Sequence, residues 1–189
     1  IAAAGGLHCP YAVIHPMISE STACKMDTDE AWRLNRNFYT SLIALAREYD
    51  VQVAIENMFS WEKGHYIPNQ VSTAQNMITY IDQLNDIAGE ERFVACYDTG
   101  HAHLLGNDLY EEICALGNRL KILHLHDNAQ EEDSHTKPFC GTIDWSQVLQ
   151  ALRVSAYSGP INFETHGYIT AFPPEQYADA LKELCCVGR

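Results

Sequence analysis

Basic residues are scarce in this sequence: 12 Lys and Arg stand against 25 Asp and Glu, a formal net charge of −13. Binding a nucleic-acid backbone takes clustered Lys and Arg, so this balance argues against nucleic acid as a partner. Long apolar runs are absent, and no stretch approaches the ~18–20 apolar residues of a membrane span. No membrane partner is expected. The opening residues lack the basic start of a signal peptide, and they lack an initiator Met. The chain is therefore expected to begin after processing or partway through a longer protein. Neither glycine-rich phosphate signature occurs, GxGxxG after a strand or GxxxxGK followed by Ser or Thr. G-x-S-x-G is missing too, which removes nucleophilic serine chemistry as a reading of Ser134 beside His135. The seven cysteines, Cys9, Cys24, Cys96, Cys114, Cys140, Cys185 and Cys186, show no CxxC zinc spacing and no disulfide framework. Most sit beside apolar residues, so the expectation is small buried hydrophobes in a reducing cytoplasm.

What is present is an ordinary globular composition, 47% apolar and 20% charged over 189 residues, enough for one domain spanning residues 1–189. Short β-branched runs alternate with helical patterns. Strands are expected at 11–15, 51–57, 92–98, 121–127 and 160–164. Helices are expected at 28–50, 69–85, 107–120, 144–152 and 173–186. Asp27 or Thr28 would cap the first of these helices, and Asn107 or Asp108 the third. Residues 127–142 read as a long polar loop. Strands alternating with helices imply parallel strands with crossover helices. Each strand ends in a polar residue: His15, Glu56, Asp98, His124 and Glu164. Active-site residues at the C-terminal ends of several strands are the rule in a (β/α)8 barrel. We therefore expect an α/β fold of TIM-barrel type, carrying about five β/α units and incomplete at its N-terminus. A five-stranded piece leaves two open edges, which invites self-association into a homo-oligomer, or makes the piece a partner subunit rather than an enzyme.

Alternation along each strand lets Glu56, Asp98, His124 and Glu164 face one point. Three carboxylates and an imidazole make a hard, oxygen-rich site for Mn2+, Mg2+ or Co2+, with Zn2+ also accommodated. Without a cation, carboxylates aimed at one buried point would repel. Asp133 and His135 form an Asp-x-His pair on the following loop, suited to a second ion or to a substrate hydroxyl. His126 and His103 read as supporting residues that orient their neighbours. His8 reads as a surface residue, and His65 as a loop residue over the mouth. Trp61, Lys63 and Tyr66 lie in a segment that could contact substrate or cover the barrel.

Together AIEN, DTGHAHLLG, HLHDNAQEEDSH, GTIDW and NFETHG resemble the xylose isomerase-like barrel superfamily, over nearly the whole chain. The superfamily includes sugar-phosphate isomerases and epimerases, ketose 3-epimerases and apurinic endonucleases. The resemblance implies metal ligation by Glu56, Asp98, His124 and Glu164. It implies a substrate contact, or a further metal, for His101. Asp133, His135 and His15 are similar to extra ligands of the endonuclease branch. Two departures stand out: Phe139 replaces the glycine usual before IDW, and the arginine that ketose epimerases carry after the histidine is missing. The implied activity is metal-dependent isomerisation or epimerisation of a sugar, sugar phosphate or polyol through an enediolate. Glu56 and Glu164 would be the acid/base pair, with His101 and Trp61 on the substrate. The alternative is an apurinic endonuclease-like phosphodiesterase.

Overall fold

A computed structural model describes residues 1–17 and 28–188, so Cys24 and the proposed cap Asp27 lie outside the described residues. In chain order the elements begin with α1 (Ala2–Gly6), β1 (Tyr11–Ile14), α2 (Thr28–Glu48) and β2 (Gln52–Glu56). Next come β3 (Phe59–Glu62), β4 (His65–Pro68), α3 (Ala74–Ala88) and β5 (Phe93–Asp98). Then follow α4 (Thr99–Leu104), α5 (Leu109–Leu116), β6 (Leu120–Leu125) and α6 (Trp145–Val154), and finally β7 (Ile161–Phe163), α7 (His166–Thr170) and α8 (Tyr177–Val187). Five strands pair in the order β1-β2-β5-β6-β7, every pair parallel, and the sheet curls as part of a barrel wall. Among the described residues no helix is long and apolar enough to cross a membrane.

Alternation along the strands separates two apolar layers. Val53, Ile55, Phe93, Ala95, Tyr97, Leu123 and Leu125 point outward. They pack with Tyr39, Met77, Ile81, Leu84, Ile113 and Val148 from the helices. Burial of each such side chain contributes about 1.5–3 kcal/mol, so this layer supplies most of the driving force. Ala54, Val94, Cys96 and Ile122 point inward as a smaller cluster, with Tyr11 and Val13 packed against it. Two residues further along the same inward rows stand Glu56, Asp98 and His124. The interior thus turns from apolar to polar toward the C-terminal ends of the strands.

Helix ends follow local chemistry. Thr73 caps α3 by accepting from the Asn76 N–H, and Gly89 closes it in the left-handed region at φ 69°. Asn85 in its last turn accepts from the N–H groups of Arg92 (2.9 Å) and Phe93 (2.8 Å) and donates to the Phe93 carbonyl (2.9 Å). One amide therefore joins the end of α3 to the start of β5. Asp108, not Asn107, caps α5 by accepting from the Glu111 N–H.

The structure departs from the sequence reading in four places. The helix expected from residue 69 starts at Ala74, because Asn69 turns back on itself. Its side chain accepts from the Val71 N–H at 3.0 Å, and its own N–H donates to Ser72 Oγ at 2.6 Å. The segment taken as loop around Trp61 is a hairpin, β3–β4, turning on Lys63 and Gly64 at φ 51° and 84°. α4 and α7 are short helices that begin directly after strand ends. The cysteines divide: Cys96 is buried, but Cys9, Cys140, Cys185 and Cys186 are exposed free thiols. An apolar neighbour in sequence does not bury a residue whose element lies on the surface.

Replacing Asn85 with Ala strands two backbone donors and an acceptor where α3 meets β5. The expected cost is about 2–3 kcal/mol in urea unfolding, with an unchanged denaturant slope. A cost under ~0.5 kcal/mol would contradict this role for the amide.

Candidate metal centre

Glu56 ends β2, Asp98 ends β5, His124 lies directly opposite Asp98 on β6, and Glu164 follows β7 with its N–H still bonded to the Leu125 carbonyl at 3.1 Å. One ligand atom from each lies within 4.8 Å of those of the other three. His124 Nδ1 sits 3.1 Å from Glu56 Oε1 and 2.8 Å from Glu164 Oε2. A single ring nitrogen cannot donate to both. Only the Glu56 contact has hydrogen-bond geometry, and Glu164 Oε2 is left buried without a partner. Asp98 is wholly buried and similarly divided. Its Oδ1 caps α4 by accepting from the His101 N–H at 2.7 Å, while Oδ2 has no partner. Its backbone is fixed by Asn57, which accepts from the Asp98 N–H (2.6 Å) and donates to the Asp98 carbonyl (2.9 Å).

These two unpartnered carboxylate oxygens belong to a set of three carboxylates and one imidazole. That donor chemistry fits a hard or borderline divalent cation, and a cation would satisfy both oxygens at once. His15 Nε2 lies 3.0 Å from Glu56 Oε2, on the outer side of the group, and its side chain is exposed. Burial pushes the Glu56 carboxyl up, but hydrogen bonds from His124 and His15 more than reverse this and leave it at about 2. Burial pushes the inward-facing Cys96 thiol up to about 12, so it stays protonated beside Glu56 and His124.

A second group lies alongside: His101, His126, Asp133 and His135 also bring one ligand atom each within 4.8 Å of the others. His101 Nδ1 faces the Asn57 carbonyl at 2.9 Å, and His135 Nδ1 faces the Glu164 carbonyl at 2.8 Å. A carbonyl only accepts, so Nδ1–H is a donor in both rings, and donation to Asp133 requires Nε2 to be protonated as well. Each Nε2 is thereby directed at Asp133 Oδ2, at 3.6 Å from His101 and 3.0 Å from His135. Burial lowers the His101 imidazole, but Asp98 and Asp133 raise it further, to about 10. Burial raises the Asp133 carboxyl, and the His101 and His135 imidazoles beside it pull it well below the usual carboxylate range.

The hairpin forms one wall of this second group. Phe59 meets the His101 ring edge-on at 5.0 Å, and the Tyr66 hydroxyl accepts from the Asp133 N–H at 3.1 Å. Trp61 packs on Tyr66 at 4.6 Å and remains 56% exposed, so it reaches the polar groups only through Tyr66 and Phe59. His103 points elsewhere, with Nε2 2.8 Å from Thr142 Oγ1. His8 and His65 are exposed.

Sequence patterns gave no warning of Asp127. It is wholly buried, and its carboxylate accepts from four donors: the N–H groups of Asn128, Ile143 and Phe139 and the Trp145 indole. These bonds close the loop that carries Asp133 and His135. Phe139 occupies the left-handed region at φ 71°, the conformation glycine adopts most readily. The loop thus keeps a glycine-type turn without the glycine. His166, which no sequence pattern marks, places its ring 4.0 Å from that of His135.

The chain belongs to the xylose isomerase-like TIM-barrel family, whose profile matches residues 1–185. An inosose dehydratase from Clostridium perfringens is 27% identical over 140 residues, covering 72% of this chain and 41% of that protein. The fold superimposes on a D-tagatose 3-epimerase-like protein with a TM-score of 0.73 at 20% identity, covering 97% of this chain and 65% of that one. It superimposes equally on the IolI protein with a bound zinc atom, TM-score 0.73 at 20% identity, covering 96% of this chain and 63% of the other. The chain spans less than half the length of the curated relatives it matches, 41–49%.

Changing Asp127 to Asn puts an amide donor among four donors. At least one buried N–H loses its acceptor, at an expected cost of about 2–3 kcal/mol. Exchange of the Ile143 amide and the Trp145 indole N–H should speed up together with the Asp133–His135 loop, while β5 stays protected. Unchanged exchange across residues 128–145 would contradict the assignment.

Proposed function

We propose that this protein is a metal-dependent isomerase or epimerase acting on a sugar, sugar phosphate, polyol or related hydroxy-carbonyl compound. One observation carries the reading. Glu56, Asp98, His124 and Glu164, from four neighbouring strand ends, converge with two buried carboxylate oxygens left unpartnered. A divalent cation held by these four residues (Mn2+, Mg2+, Co2+ or Zn2+) would supply Lewis acidity toward the substrate carbonyl and its adjacent hydroxyl.

The chain's own groups do the rest. β5 and β6 lie between β2 and β7, so Glu56 and Glu164 approach a substrate from different sides. One takes the proton from the carbon beside the carbonyl, and the other returns it to the same or the neighbouring carbon. Return to the opposite face gives an epimer, and return to the neighbouring carbon gives an aldose–ketose pair. His101 offers Nε2 to a substrate oxygen while its Nδ1–H stays hydrogen-bonded to the Asn57 carbonyl. The inward Ala54, Val94, Cys96 and Ile122 close the site from below and exclude water there. The hairpin presents Trp61 at the mouth as an apolar face for the substrate.

Incubating the protein with Mn2+ and a panel of ketoses in deuterated water should place deuterium on the carbon beside the carbonyl. Glu164→Gln should slow that exchange about 10²–10⁴-fold. Near-normal exchange by Glu164→Gln would overturn the assignment of that residue, and no exchange with any sugar would overturn the reaction class.

The His101–His126–Asp133–His135 group favours a second reading, a multi-cation phosphodiesterase of the endonuclease type. In that case His15, His101, Asp133 and His135 would hold further ions. About one tightly held ion per chain favours the isomerase, while about three, together with nicking of an abasic duplex, favours the phosphodiesterase. The net charge of −13 weighs against a DNA substrate.

A further inference from the structure

His126 is wholly buried, yet neither ring nitrogen has a partner in hydrogen-bond geometry. Leaving a buried polar group in that condition is costly, so the ring's surroundings need a reason. Its Nε2 stands 2.9 Å from Asp98 Oδ1, the oxygen already engaged by the His101 N–H. Its face stacks on His135 at 3.9 Å and 14°. Gly100 lies against it so closely that a Cβ there would fall 1.9 Å from Cε1 and 2.4 Å from each ring nitrogen. The backbone is held as well: Thr99 Oγ1 donates to the His126 carbonyl at 3.0 Å and accepts from the His126 N–H at 3.3 Å. Asn128 adds a bond to the Gly100 carbonyl at 2.9 Å.

The glycine of DTGH is therefore required by a ring 26 residues away in sequence, since any side chain at Gly100 would displace it. What the ring does there follows from Asp98. A carboxylate turns easily about its terminal torsion, and one cap bond to Oδ1 does not stop that rotation. We propose that His126 is a positioning residue for Asp98: its Nε2 edge, pressed against Oδ1, holds the carboxylate so that the buried, unpartnered Oδ2 faces Glu56, His124 and Glu164. This rests on the reading of those four residues as the metal ligands. Neighbours that orient a ligating carboxylate act on affinity for the ion without touching it.

The test is calorimetric titration with Mn2+ of the intact protein, alongside circular dichroism and thermal unfolding before Mn2+ is added. His126→Phe keeps a ring on His135 but removes the nitrogens, and it should weaken Mn2+ binding about 10–100-fold. His126→Gln places a side-chain amide donor near the position of Nε2, and it should recover most of the affinity. Gly100→Ala leaves His126 in the sequence but drives the ring away, and it should match His126→Phe. If His126→Phe fails to fold, the Gln and Gly100→Ala variants decide the matter. Wild-type affinity in His126→Phe or Gly100→Ala, or no recovery with Gln, would overturn the proposal. Absence of Mn2+ binding by the wild-type protein would instead overturn the metal-site reading beneath it.

Discussion

Like charges at short range are the constraint around which this structure is arranged. Glu56, Asp98 and Glu164 bring carboxylate oxygens within 4.8 Å of a common neighbour set at the open end of the sheet. Two carboxylates that close repel by about 3–4 kcal/mol at an effective dielectric of ~20. The protein answers part of this with imidazoles: His15 and His124 on Glu56, His126 on Asp98, and His124 again near Glu164. It leaves Asp98 Oδ2 without a partner, and Glu164 Oε2 without a hydrogen bond, since His124 Nδ1 is engaged by Glu56. A fold that only needed stability would not bury these groups together, because replacing buried ionic groups with apolar ones is often neutral or favourable.

The rest of the architecture pays for that cluster and aims it. The outward apolar layer under the helices is large and continuous, and it holds the strands in register. The inward layer is small, and its residues give way to the proposed ligands within two positions on β2, β5 and β6. Rigid partners then fix each polar group: Asn57 on the Asp98 backbone, Asp127 on the loop of Asp133 and His135, and Gly100 making room for His126. Few of these partners touch the proposed substrate space. Their work is to set the directions of groups that do.

Much of this was readable from the chain, and the reason is periodicity. The five strands and the residues at their ends follow from alternation and from polar residues closing apolar runs, and Asp98 opposite His124 is what two such strands in parallel register give. Three features were not readable. The hairpin hid because FSWE and HYIP are short and their Lys63–Gly64 turn lies among other polar residues. Asp127 hid because its four donors come from positions as far apart as 128 and 145, a relation no local pattern encodes. His126 looked like a supporting residue, but the packing of its ring on Gly100 depends on how two neighbouring strands lie side by side. Phe139, standing where glycine is usual, adopts the left-handed turn itself.

The central claim is that Glu56, Asp98, His124 and Glu164 hold one divalent cation between them. The most direct measurement is anomalous diffraction at the manganese edge from crystals grown with Mn2+. The account predicts a strong peak bounded by those four side chains, with the His124–Glu56 hydrogen bond replaced by contacts to the ion. A crystal grown with Mn2+ that shows no peak there, and keeps His124 hydrogen-bonded to Glu56, would contradict it.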